Sequence, residues 1–219
     1  METIKETYSK NNNKIVLIED GGLGNPPYKT ILIIGVVHGD EPQGKFLIEN
    51  YLETAASRHN NRMLFIPCLN PDGLKLNTRQ NSNGIDINRN FSTQNWELTE
   101  KNDPKNSNFF GGESPSSEIE TRFVEEIIEE FRPDLILTLH APYKVVNFDG
   151  PADEIAQKIS EIINYPTQSD IGYPTPGSFG TYAGVERNIP IITLELDEEV
   201  DVKTLIEPIN KIFDCLLNI

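Results

Sequence analysis

The chain has 219 residues, with 34 Asp and Glu against 19 Lys and Arg, giving a formal net charge of −15. That surplus disfavours nucleic acid and anionic membrane as partners, because phosphate contacts need clustered Lys and Arg, and it serves solubility instead. The length suits one α/β domain, or two small ones, and is large enough to bury a substantial core; with no boundary evident, a single domain spanning 1–219 is expected.

Residues 1–10 carry acidic groups and no apolar h-region, and no stretch reaches the roughly 18 apolar residues that span a bilayer, so a cytoplasmic location is expected. The first apolar run, residues 14–19, predicts a strand, and a stronger one follows at 30–37. Pro42 suits the first position of a helix running to about Ser57, with Glu41 near its N-cap. Residues 62–69 predict a third strand. The stretch from Asn70 to Ser116 has neither helical nor strand period and is rich in Asn, Asp, Ser and Gly. A loop of that length inside a compact domain usually carries function.

Ser117-x-x-Glu120 predicts a capping box. The helix it opens would bury Ile119, Phe123, Ile127 and Phe131 and stop at Pro133. Strands are expected at 134–140, 144–148 and 189–196. Helices are expected at 152–163 and 200–217, with a shorter one from about Ser178. Most of the strand runs are continuously apolar, as strands covered on both faces should be. Their alternation with helices predicts an α/β fold: a mixed, mainly parallel twisted central sheet with helices on both faces. Cys68 and Cys215, the only cysteines, sit in apolar patterns and are expected as small core residues.

Ligands in such folds gather at the carboxyl ends of strands, and the chemistry-bearing residues fall there or in the long loop. His38 and Glu41 follow the strand at 30–37, and His140 ends the one at 134–140. Two histidines and a glutamate form a ligand set that holds catalytic zinc and leaves a position open for water; alone, Glu41 could equally cap the following helix. A metal-bound histidine passes its second ring proton to a carboxylate or carbonyl. For His38 the candidates are Asp86 and Asp40.

Glu195 lies within Ile191-Ile-Thr-Leu-Glu-Leu196, where an ionised carboxylate needs a partner or a task. As a general base it would take a proton from water and return it to a leaving nitrogen. Arg79 and Asn88-Arg89-Asn90 could grip a carboxylate or stabilise an oxyanion. Gly172-Tyr-Pro-Thr-Pro-Gly-Ser-Phe-Gly180 is a stiffened loop from which Tyr173 could reach over a substrate, or a plain structural loop. His59, among Asn60, Asn61 and Arg62, reads as solvated.

Taken in order, His38-Gly-Asp-Glu41, Asn70-Pro-Asp-Gly73, Gly84-Ile-Asp-Ile-Asn-Arg-Asn-Phe91, Ser117-Glu-Ile-Glu-Thr121, Leu139-His140 and Thr193-Leu-Glu195 resemble the zinc carboxypeptidase family. The match covers about residues 31–199. Asn70-Pro-Asp-Gly-Leu74, Arg79 and Pro176-Gly-Ser-Phe-Gly180 look most like its murein peptide amidase branch, cytoplasmic enzymes that cut the γ-D-glutamyl–diaminopimelate bond of recycled wall peptides.

The resemblance implies one zinc ion per chain, held by His38, Glu41 and His140, and Glu195 as general acid and base. It implies that Arg79 polarises the scissile carbonyl, that Asn88 and Arg89 hold the terminal carboxylate of a small peptide substrate, and that Tyr173 covers the site. Ala141 departs from the serine of the digestive carboxypeptidases, so one contact to the substrate backbone is expected to be missing. The acidic run Asp197-Glu198-Glu199 is a candidate partner for the diaminopimelate ammonium. A second expectation is a deacylase of N-acyl amino acids, since that group shares a His-Gly-x-Glu start, an Asn-Arg pair and a later His.

Overall fold

Eight strands are present among the described residues of the computed structural model, which are 1–21, 28–54, 61–99 and 107–218. They are β1 (Glu2–Tyr8), β2 (Lys14–Asp20), β3 (Thr30–Gly35), β4 (Arg62–Ile66), β5 (Leu135–His140), β6 (Val145–Asp149), β7 (Thr167–Gln168) and β8 (Ile191–Glu195). They form one sheet in the order β1-β2-β4-β3-β5-β8-β6-β7. The middle four are mutually parallel, β1, β2 and β6 join antiparallel, and β7 pairs parallel with β6.

Burial explains why the central runs are continuously apolar. In β3, Ile31 and Ile33 pack on one face with Leu47, Ile48 and Tyr51 of α1 (Gln43–Thr54) and with Ile209, Ile212 and Phe213 of α5 (Ile206–Leu216). Leu32 and Ile34 pack on the other face with Phe123, Val124 and Ile127 of α3 (Ile119–Phe131). Side chains that alternate across a strand must both be apolar when both faces are covered. The amphipathic α4 (Asp153–Ile163) adds Ala156 and Ile159 to the first face.

Several expectations need correction. The capping box does not form: Glu118 occupies the N-cap of α3 without a side-chain cap bond, and Ser117 bonds Asn90 and Glu118 instead. The long stretch contains a six-residue helix, α2 (Pro71–Leu76), capped by the Asn70 side chain, and a 3-10 turn at Ile87–Arg89. The expected last helix is a 3-10 turn at Val202–Leu205 followed by α5, because Pro208 is tolerated only in the first turn of an α-helix. The short helix near Ser178 is a π-helix, Gly180–Val185. Cys68 and Cys215 are half-buried rather than enclosed. The expected end of α1 beyond Thr54, and His59, lie outside the described residues. No helix among the described residues is long and apolar enough to cross a membrane.

The chain runs from β3 through α1 to β4 on one side, then places β5 on the opposite side of β3. The carboxyl ends of β3 and β5 therefore flank a topological switch point, where open α/β sheets bind ligands.

Candidate active site

His38 leaves the end of β3 in a turn whose backbone lies hard against α2. A Cβ at Gly39 would sit 2.0 Å from the carbonyl carbon of Gly73, so only glycine fits there. Val36, just before the turn, has a φ of 52°, a conformation that strains a β-branched residue and is tolerated where surrounding structure imposes it. Asn70 is fully buried and ties this turn to the next segment. Its backbone N–H donates to Val36 O (2.9 Å), and its side-chain amide donates to Val37 O (3.4 Å) and Arg79 O (3.3 Å).

Three residues from three places converge. His38 Nδ1 lies 2.8 Å from Glu41 Oε1, His140 Nδ1 lies 2.9 Å from Glu41 Oε2, and the two Nδ1 atoms are 3.1 Å apart. All three side chains are buried. Burial, the largest single effect, pushes the His38 imidazole down, but the Glu41 and Asp86 carboxylates together outweigh it, and the group is raised to about 9. Burial likewise pushes Glu41 up, and the two imidazoles more than reverse it, holding the carboxyl far below the usual range.

Asp86, fully buried, faces the other side of His38, with Oδ1 3.2 Å from Nε2. Of the two expected candidates it is Asp86, not Asp40, that meets the ring; Asp40 is exposed at the cavity edge. Asp86 also accepts from Arg79 Nε (2.9 Å) and from the Asn88 backbone N–H (2.9 Å). Despite burial, Arg79 and His38 keep its carboxyl well below the normal range.

Arg79 and Arg89 both stand over Phe109, their guanidinium carbons 5.1 and 5.5 Å from its ring centre. This contact orients both planar groups. Arg89 is also fixed by its own bond to Asn88 O (2.7 Å). The Asn88 side-chain oxygen accepts from Phe179 N (2.8 Å), so only its amide NH2 is left for the cavity that it lines.

Glu195 ends β8 as the register partner of His140 on β5. It is buried, and its Oε2 has no hydrogen-bond partner among the described residues. Burial raises its pKa. An orphaned carboxylate oxygen in such a place marks a site of function rather than of stability.

All of these groups except Asp86, which lies behind His38, line one cavity of about 500 Å³, together with Tyr143, Tyr173, Asp149 and Glu198. The acidic run divides: Lys144 pairs with Asp197 (2.8 Å) and lies 3.7 Å from Glu199, leaving Glu198 at the cavity wall. Asp149 was not anticipated. It lies at the end of β6 with its pKa raised by burial alone, and the glycines of the π-helix make room for it: a Cβ at Gly180 would meet Asp149 Oδ2 at 2.2 Å. An aspartate followed by Gly150-Pro151 resembles an ordinary turn, and no signal in the sequence distinguishes it.

The donor set fits a zinc ion. Two imidazole nitrogens and a carboxylate, 2.8 to 3.1 Å apart, can each reach one ion at the roughly 2.0–2.2 Å of zinc bonds to nitrogen and oxygen. Asp86 supplies the outer hydrogen bond that such a histidine requires.

Comparison with known proteins agrees with this geometry. Residues 1–161 match the zinc carboxypeptidase family model. The chain belongs to the zinc carboxypeptidase family. As a member of it, this chain is a zinc-family metallopeptidase, an amide hydrolase. It is 32% identical over 174 residues to murein peptide amidase A of Escherichia coli (strain K12), covering 75% of this chain and 69% of that protein. It is similar to the crystal structure of murein-tripeptide amidase from Escherichia coli O157, with a TM-score of 0.80, 26% identity, and coverage of 97% of this chain and 90% of that one. Carboxypeptidase A from Helicoverpa armigera shares the fold, with a TM-score of 0.75 and 15% identity over 98% of this chain and 67% of that one. The family match ends before Tyr173 and Glu195, so their place at the zinc carboxypeptidase site rests on the three-dimensional arrangement.

Proposed function

We propose that this chain, with residues 1–219 acting as one catalytic domain, hydrolyses the γ-D-glutamyl–diaminopimelate amide bond of small cell-wall peptides in the cytoplasm. One observation carries the reading. His38, Glu41 and His140 share a cavity with Glu195, whose Oε2 has no partner among the described residues, and the cavity also presents Arg79 and Arg89. Similarity to murein peptide amidase A supports the substrate class.

His38, Glu41 and His140 would hold one zinc ion. Bound there, zinc polarises the amide carbonyl and lowers the pKa of a water at the site. Asp86 keeps the Nε2 proton of His38, so that Nδ1 faces the shared position. Glu195 takes a proton from the attacking water and delivers it to the departing amine nitrogen. Arg79 stabilises negative charge on the carbonyl oxygen. Arg89, with the Asn88 amide, holds the carboxylate next to the scissile bond, and Tyr173, at the wall of the same cavity, covers the substrate. Asp149 faces the substrate's side-chain ammonium. Within the acidic run Lys144 already engages Asp197 and Glu199, which leaves Glu198 as the other carboxylate at that wall.

Incubation with a defined wall tripeptide, followed by mass spectrometry of the products with and without chelator, tests the reading. Release of the diaminopimelate-bearing product, abolished by chelation, is expected. Parallel incubation with N-acetylaspartate and N-succinylglutamate tests the deacylase alternative, and turnover of those alone would replace this proposal. Cell fractionation tests the compartment.

A further inference from the structure

The residues that open α3 spend their side chains on the long loop rather than on capping their own helix. Glu118 is buried, and its Oε2 accepts from the side-chain amides of Asn81 (2.7 Å) and Asn83 (2.6 Å). Its Oε1 accepts from Ser117 Oγ (2.8 Å), and its backbone N–H donates to Asn90 Oδ1 (3.1 Å). Asn90 is itself fully buried and donates to Gly111 O (2.7 Å), Ser114 O (3.1 Å) and Ser117 Oγ (2.9 Å). Asn81 closes the loop apex, its Oδ1 accepting from Asn83 N (3.0 Å) and Ile85 N (3.2 Å).

Glu118 therefore grips the segment 79–90 at two places. One is the apex, through its carboxylate; the other is Asn90, which follows Arg89 directly, through its N–H. Between the grips lie Asp86, Asn88 and Arg89, and Arg79 stands just ahead of the first. Arg79 is tied to Asp86, so a shift of the apex moves both ends of that bond. A buried carboxylate that accepts three hydrogen bonds holds a loop more firmly than neutral groups would, because charge-assisted bonds are about twice as strong.

We infer that Glu118 is a positioning residue, which sets where Arg79 and Arg89 stand in the cavity without touching substrate. The inference rests on the proposed role of those arginines. Among the described residues, the hydrogen bonds that Glu118 makes outside α3 go to Asn81, Asn83, Asn90 and Ser117 and none to His38, Glu41 or His140. Its influence therefore falls first on the anion-holding side of the site and reaches the ion's donors only through Asp86, which bonds His38.

The test compares zinc-replete Glu118→Ala and Glu118→Gln with the parent. Glutamine offers an oxygen to both asparagines and should rescue. We expect Glu118→Ala to bind one zinc per chain, to raise KM at least tenfold on the wall tripeptide, and to lose kcat as Arg79 shifts. Glu118→Gln should stay within about threefold of the parent. Hydrogen exchange, which needs no substrate, should show amides of 81–90 losing protection in Glu118→Ala while those of β3 and β5 keep theirs. If Glu118→Ala fails to fold, Asn81→Ala/Asn83→Ala breaks the same bonds from the loop side and should reproduce these effects. Parent-like KM and kcat in the folded variant overturn the inference, as does unchanged exchange at 81–90. A parent that does not cleave the tripeptide refutes the substrate reading instead, and the exchange result then decides the role of Glu118.

Discussion

His140 and Glu195 are register partners on the parallel strands β5 and β8, so an imidazole of the metal cluster and an unpartnered carboxylate emerge side by side at the same sheet edge. Sheet hydrogen bonding fixes that neighbourhood, with Leu196 N donating to His140 O at 2.8 Å. The general base and one imidazole of the cluster are thus set by paired strands rather than by a loop.

Replacing Glu195 with Gln separates its chemistry from its packing. Turnover should fall by about 10²- to 10⁴-fold, the range of one general acid–base group, with KM and zinc content little changed. The metal-free variant should melt no lower than the parent, since a buried carboxylate oxygen without a partner destabilises the fold. Because burial raises the Glu195 pKa, the parent's activity should rise with pH along an acid limb lying above the ordinary glutamate range. Near-parental turnover in the variant, measured by a product assay, would remove Glu195 from the mechanism.

Asp86→Asn tests the outer support of the cluster. Asparagine cannot provide the charge that holds the His38 Nε2 proton, and zinc affinity should weaken by about 10- to 100-fold. Arg79 loses its charged tether in the same variant, so kcat should fall even when zinc is saturating. Competition with a chromogenic chelator gives the affinity, and a zinc titration of activity separates the two effects.

The strands were legible because they are covered on both faces, which forces unbroken apolar runs at β3, β4, β5 and β8. β1 was not, since it lies at the sheet edge with four of its seven residues exposed and shows no such run. The positions of His38, Glu41, His140 and Glu195 could be read because each follows or ends an apolar run, where strand ends expose side chains. The capping box misled because local spacing cannot reveal a competing partner: Asn90 and the loop asparagines claim Ser117 and Glu118 through long-range contacts. Within the acidic run, the pairing of Lys144 with Asp197 was not legible for the same reason, since it depends on where β6 lies beside β8.

Asp149→Asn examines substrate choice. On substrates whose carboxylate-bearing residue has a side-chain amine, kcat/KM should drop at least tenfold, about 1.4 kcal/mol. On analogues with an uncharged side chain it should change less than twofold. Equal losses on both would indicate that Asp149 only shapes the cavity. Glu198→Gln, at the wall of the same cavity, serves as the comparison.

The pH dependence of stability should carry a signature of Glu120. This carboxyl is buried at the start of α3, and burial pushes it from 4.5 up to about 7, helped by the nearby charges of Glu118 and Asp72; Asn81 donates to it at 3.3 Å and opposes the shift only in part. The folded state therefore keeps a proton that the unfolded chain releases as pH climbs through 4.5. Below that value the group costs nothing. Between 4.5 and 7 stability falls as pH rises, and above 7 the penalty is complete, roughly 3 kcal/mol. Glu120→Gln cannot ionise and can still accept from Asn81. Its stability relative to the parent should be near zero at pH 4 and favour the variant by about that amount at pH 8. Denaturant melts at the two pH values measure the difference directly. A variant that is less stable than the parent at pH 8 would show that Glu120 is ionised and well paired in the folded protein.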